Sequence, residues 1–197
     1  MAIILSILSI ITNLSLIKAL SSSNEGRQIL AIGATGGTGI RALSGLLDVG
    51  YNPSNIRILT RSPGKPLVQS LAKLGFIIYE GDLDWNEDND DHITSTKKKN
   101  IQKALEGCSG CYIHSLSSDT KQLDKGEAPR ALNLCSVIQN ASPTLSEIPM
   151  VYNSAAGETN HGVERIQQKH DVETIFFEAN AKLTSLRANL FMEGLLF

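Results

Sequence analysis

The residues best suited to chemistry are Gly33-Ala34-Thr35-Gly36-Gly37-Thr38-Gly39, placed between the apolar run Gln28-Ile29-Leu30-Ala31-Ile32 and an amphipathic helical pattern. Glycines at this spacing let a chain turn sharply out of a strand, let backbone approach a pyrophosphate, and let the next helix pack close. The helix start then offers free N–H groups and a partial positive charge to the phosphates. Glycine-rich turns are also ordinary loop punctuation, but here the strand before and the helix after give the context a dinucleotide site requires. Gly33, Thr35, Gly36, Gly37, Thr38 and Gly39 are therefore candidate cofactor-binding residues.

A second candidate follows the next apolar run, Ile56-Arg57-Ile58-Leu59-Thr60. An NAD site usually places Asp or Glu at this strand end to hold the ribose 2′-hydroxyl, whereas Arg accommodates a 2′-phosphate. This chain has Arg61 there, with Lys65 four residues on and no carboxylate beside it. NADP is the expected cofactor, NAD the less expected one; the plainer reading of Arg61 is an exposed side chain at a strand end. A third candidate is Lys169, in Gln168-Lys169-His170-Asp171-Val172-Glu173. At about 100° per residue, Lys169 projects between Ile166 and Phe176, close to Val172, inside an apolar stripe. A lysine there must be partnered or must line a cavity. The competing reading is a plain helical pair with Glu173.

These side chains need a frame, and the pattern supplies one. Short apolar runs at 28–32, 56–60, 76–80, 111–115, 150–153 and 183–187 alternate with helical patterns at 37–49, 66–74, 101–106, 129–140 and 163–180. Strict alternation predicts an α/β fold, a doubly wound parallel sheet of six strands with helices on both faces. The stretch 85–100, with Glu87, Asp88, Asp90 and Asp91 followed by Lys97, Lys98 and Lys99, reads as a solvated loop.

The glycine turn, Leu59-Thr60-Arg61, Gly81-Asp82-Leu83 after the third strand and Leu183-Thr184-Ser185-Leu186-Arg187-Ala188-Asn189-Leu190-Phe191-Met192-Glu193 together resemble the NmrA-like group of atypical short-chain dehydrogenases/reductases, over residues 28–197. The resemblance implies a Rossmann fold that binds NADP(H) or NAD(H). It implies either an oxidoreductase acting on a small organic substrate, or a regulator that binds the dinucleotide without turnover and acts through a protein contact. It puts Asp82 and Leu83 at the adenine end, where Asp82 also reads as a turn former. The superfamily's usual catalytic pair is a Tyr followed four residues later by Lys. Here Asn55, Leu83, Leu116 and Ala156 lie four after Tyr51, Tyr79, Tyr112 and Tyr152, so that acid is missing. Lys169 resembles the lysine of the family's Lys-x-x-x-Glu stretch and is the candidate catalytic residue. Ser154 stands where the superfamily's Ser would lie, although Ser-Ala-Ala also reads as loop. Ser115, ending the fourth run, completes the cofactor-binding set.

The remaining patterns carry less. Cys108-Ser109-Gly110-Cys111 has redox-pair spacing, but it leads into a strand rather than capping a helix, and Cys135 supplies at most one further zinc ligand. His92, His114, His161 and His170 show no i, i+4 pairing, so no metal is expected. Asn140-Ala141-Ser142 fits a glycosylation sequon, relevant only on the secretory route. The 197 residues suffice for one full domain, and 18 Lys plus Arg against 20 Asp plus Glu leave a net charge of −2, which argues against nucleic acid as a partner.

Residues 1–23 form a segment apart. No charge occurs before Lys18, and Ala19 precedes Ser21-Ser22-Ser23-Asn24, as at a signal-peptide cleavage region. The expectation is import into the endoplasmic reticulum, with a cytoplasmic location as the alternative and membrane contact only if the segment is retained. Residues 24–197 make up the dinucleotide-binding domain. The resemblance implies a substrate-covering lobe beyond the sixth strand that this sequence does not contain, so little turnover is expected of this chain alone.

Overall fold

A computed structural model describes residues 26–85, 92–116, 126–141, 147–157 and 163–188. The segment read as a targeting peptide lies outside them, as do His161, Ser142 of the sequon and 189–193 of the family-like stretch.

The described residues form strands β1 (Gln28–Ile32), β2 (Ile56–Thr60), β3 (Ile77–Glu80), β4 (Cys108–Ile113), β5 (Met150–Ala155) and β6 (Leu183–Ala188). Helices α1 (Gly37–Asp48), α2 (Pro66–Lys73), α3 (His92–Leu105), α4 (Glu127–Ala141) and α5 (Glu164–Glu178) alternate with them. All strand pairs are parallel, in the order β3-β2-β1-β4-β5-β6. This is the doubly wound Rossmann-like sheet.

The order dictates where the helices go. From β1 the chain steps outward through β2 to β3, then returns across β1 to β4 and steps the other way. Because each crossover is right-handed, reversing direction moves the helices to the opposite face. Leu43 of α1 and Leu71 of α2 accordingly share one buried cluster with Ala31, Ile56 and Ile58. Ile101 of α3, Leu134 of α4 and Phe176 of α5 share the other with Leu30, Ile32 and Tyr152. A parallel strand covered on both faces must be apolar on both, and the near-continuous apolar β1 and β2 satisfy this.

Two expectations change. The stretch 85–100 is not a loop throughout: α3 starts at His92, so Lys97, Lys98 and Lys99 lie on a helix. Thr94, Ile101, Ala104 and Leu105 form its buried face, a spacing that three consecutive lysines conceal. The lysines are held locally, Lys97 Nζ donating to the Asp84 carbonyl at 2.8 Å and Lys98 lying over the Trp85 ring. β4 starts at Cys108, three residues earlier than expected, so the Cys108–Cys111 spacing is part of a central strand. Among the described residues no helix is long and apolar enough to cross a membrane.

Candidate functional site

Where the strand order reverses, the loops after β1 and β4 diverge and leave a crevice at the carboxyl edge of the sheet. Here it is a cleft of about 870 Å³, and it gathers Gly33, Thr35, Gly36, Gly37, Thr38, Arg61, Asp82, Leu83, Ser115, Ser154 and Lys169.

At the centre, Gly33 has φ +73°, a conformation that side chains rarely adopt. A Cβ on it would sit 2.6 Å from the Ser115 carbonyl oxygen, so backbone meets backbone between β1 and β4. A Cβ on Gly39 would lie 2.6 Å from Ala34 Cα and from the Gly33 carbonyl oxygen. Gly39 therefore stays bare for the close packing of α1 on the turn after β1. Gly37 differs: a Cβ there would meet nothing within 4 Å. Protein packing therefore leaves that space empty, beside the first N–H groups of α1, which no helix satisfies internally. The residues present fit a pyrophosphate lying on this turn.

At one end, Arg61 lines the cleft together with Ser62 and Lys65. The Ser62 N–H donates to Thr60 Oγ1 at 3.2 Å, turning the chain out of β2. Asp82 both lines the cleft and makes the turn, its Oδ1 accepting the Asp84 N–H at 3.1 Å. Leu83 is buried beside it. Two α4 residues that sequence reasoning missed hold this loop. Asn133 Nδ2 donates to the carbonyls of Leu83 and Trp85, at 2.8 and 3.0 Å. Arg130, 6% exposed, donates to the Leu116 carbonyl at 2.9 Å and to Asp84 Oδ2 at 2.8 Å. Their i, i+3 spacing on one helix face was the available signal.

At the other end, Lys169 is partnered, but not by Glu173. Its Nζ lies 3.1 and 3.0 Å from the two carboxylate oxygens of Glu127, at the start of α4, and 5.0 Å from the centre of the Tyr152 ring. Glu127 is 5% exposed and also accepts the Ser115 hydroxyl at 3.1 Å and the Tyr152 hydroxyl at 2.9 Å. Burial first, and then the Glu127 carboxylate that accepts its proton, push the Tyr152 hydroxyl far above the usual range. This tyrosine is a fixed donor inside the wall.

Glu173 pairs instead with Arg187 of β6. Burial would raise its carboxyl, but the Arg187 guanidinium, which donates to both carboxylate oxygens, outweighs it, and the value falls to about 2. Opposite Lys169, His114 Nδ1 lies 3.1 Å from Asn153 Nδ2, and both residues line the cleft. Burial, reinforced by the Lys169 charge and opposed by Glu127, lowers the His114 value. The cysteines take no part: burial pushes Cys111 up, and Cys135 up to about 12.

A doubly wound parallel sheet with a glycine turn at its switch point defines a Rossmann-type dinucleotide-binding domain. Residues 25–196 match the NmrA-like family, and the chain belongs to it. Among solved structures it is similar to Citrobacter sp. triphenylmethane reductase complexed with NADP(H), at 19% identity and a TM-score of 0.65, covering 86% of this chain and 52% of that one. It is similar to the NADPH-dependent quinone oxidoreductase QOR2 of Escherichia coli complexed with NADPH, at 21% identity and TM-score 0.64, covering 84% and 50%. Pinoresinol-lariciresinol and phenylcoumaran benzylic ether reductases align at 15% identity and TM-score 0.61, covering 84% and 50%. The chain spans about half the length of these structures. No curated protein matches it.

Proposed function

We propose that the chain binds NADP(H) and serves an NADPH-dependent reduction of a small organic hydride acceptor, as an oxidoreductase of the atypical short-chain dehydrogenase/reductase type. The observation that carries the reading is the cleft itself, which lines up the glycine turn, Arg61 at one end and Lys169 at the other. The N–H groups at the start of α1 would hold the pyrophosphate. Arg61 and Lys65 would face the 2′-phosphate, and the Asp82-Leu83 loop would cover the adenine. NADPH, when bound, supplies the hydride. Lys169 stands at the opposite end with N–H groups to offer an acceptor oxygen that gains negative charge. The similar structures, which include dye, quinone and benzylic ether reductases, support a small organic hydride acceptor.

The test is calorimetric titration of the protein with NADPH and NADH, followed by NADPH oxidation in the presence of carbonyls, enones and quinones. Equal affinity for the two dinucleotides would overturn the NADP assignment. A second reading, a dinucleotide-binding regulator acting through a protein contact, is favoured by the tyrosine geometry, since the Tyr152 hydroxyl is committed to Glu127. Tight NADPH binding without turnover would support it. Residues 1–23 are further proposed to direct import into the endoplasmic reticulum. Natural protein carrying intact Met1 in a cytosolic fraction would refute this.

A further inference from the structure

Glu127 has no place in the dinucleotide site as the sequence outlines it, yet side chains from three separate places converge on it. Its two carboxylate oxygens accept from Ser115 beyond β4, Tyr152 of β5 and Lys169 of α5, while Glu127 itself opens α4. The first turn of a helix favours a negative charge, and the three donors, in four contacts, occupy nearly all the acceptor capacity a carboxylate has. Such an arrangement is poorly explained by stability alone. A buried ion pair is often no more stabilising than an apolar pair of the same shape, because removing both charges from water offsets their attraction. What the pair does provide is position, since a four-carbon lysine stem is otherwise free to sample many rotamers.

The neighbours of Glu127 show what that position serves. The Ser115 hydroxyl donates to Glu127, and the Ser115 backbone is the surface against which Gly33 packs without a Cβ. The same residue therefore borders the phosphate turn and the carboxylate. The Lys169 side chain remains 20% exposed, against 6% for Glu127, and both line the cleft, so the lysine is the more accessible member of the pair.

We infer that Glu127 is the positioning residue of this cleft: it holds the Lys169 ammonium at the hydride-transfer end, leaving one of its N–H groups for an acceptor oxygen. This rests on the reductase reading for what Lys169 does, but not for where it is held. The substrate class that suits a fixed ammonium is an acceptor whose oxygen becomes negative as it takes the hydride, such as a carbonyl, enone or quinone. The proton that later neutralises that oxygen comes from water or from the lysine itself, which water then reprotonates.

The test uses the full chain, with E127Q and E127D, and reads lysine acetylation by mass spectrometry as well as turnover. Circular dichroism confirms that each variant is folded. Lys169 in E127Q should acetylate about tenfold faster than in the wild type, the loss expected for one charge-assisted bond, while Lys73 and Lys103 keep their rates. E127D, which keeps the charge, should retain at least half of the protection. With menadione as acceptor, E127Q should lower kcat about tenfold and leave the KM for NADPH within about threefold, the pattern of an interaction used in the reaction and not in cofactor binding. An unchanged Lys169 rate in folded E127Q, or E127D as reactive as E127Q, overturns the inference. So does E127Q turnover equal to a wild-type turnover that is itself measurable, while in a chain without turnover the acetylation rates decide. A wild-type chain that fails to bind NADPH sinks the reductase reading, and the acetylation rates then still decide whether Glu127 holds Lys169.

Discussion

The two ends of the cleft are built from different materials. The glycine turn is almost entirely backbone: Gly33 and Gly39 are bare because main-chain atoms of Ser115, Ala34 and Gly33 fill the space, and Gly37 is bare beside the open cleft. The Lys169 end is almost entirely side chain, with Glu127, Ser115, Tyr152 and Lys169 drawn from separate elements. A backbone site packed like Gly33 and Gly39 tolerates no added atom but needs no partner. A side-chain site tolerates reshaping but fails when one member is removed, because the remaining charge is buried.

The largest effect should come from adding atoms to the backbone end. Gly33→Val combines a β-branched residue at positive φ with a direct clash on the Ser115 carbonyl. The expected cost is about 3–5 kcal/mol of stability, together with loss of NADPH binding, measured by urea unfolding and calorimetry. A loss under about 1 kcal/mol would mean that the turn can relax, and the contrast between the two ends would fail.

Removing one member of the side-chain end should be nearly as destabilising but functionally different. Lys169→Met strands the Glu127 charge in the wall and should cost about 3 kcal/mol. NADPH affinity should stay within about tenfold while any NADPH oxidation is lost. Loss of cofactor binding in this variant would show that the ends are not separable.

Arg61→Ala touches neither the turn nor the carboxylate network. NADPH binding should weaken by about 1–3 kcal/mol, with NADH binding barely altered, as read by paired titrations. The smallest effect belongs to Glu173, whose folded value of about 2 lies below its ordinary 4.5. A depressed carboxyl contributes stability above its unfolded value and loses it as pH falls through the folded one. Glu173→Gln should therefore cost about 1 kcal/mol at pH 7, reduced because Arg187 is half exposed, and the difference from wild type should vanish between about pH 4.5 and 2. A difference that persists at pH 2 would assign the effect to packing.

What could be foreseen followed the same division. The turn at 33–39 was legible because its function depends on local spacing: a strand, glycines and a helix are contiguous, and their geometry is set by neighbours in the chain. Arg61 was legible for a similar reason, since it follows β2 directly. α3 was half missed because its lysine run hides a buried face carried by Thr94, Ile101 and Leu105. Arg130 and Asn133 were missed because their partners, Asp84, Leu116, Leu83 and Trp85, lie on other loops.

Lys169 marks the boundary. Its place in an apolar stripe required either a partner or a cavity, and helical periodicity alone carries that requirement. The identity of the partner was beyond reach, because Glu173 stands four residues away and Glu127 forty-two. By itself, then, the sequence determined the alternation of strands and helices, the glycine turn and the types of residue along the cleft, all of which depend on short-range sterics and periodicity. Only the tertiary structure decided that Glu127, and not Glu173, holds Lys169. That choice is made by the strand order, which sets α4 and α5 side by side on one face of the sheet and brings their side chains to one buried point.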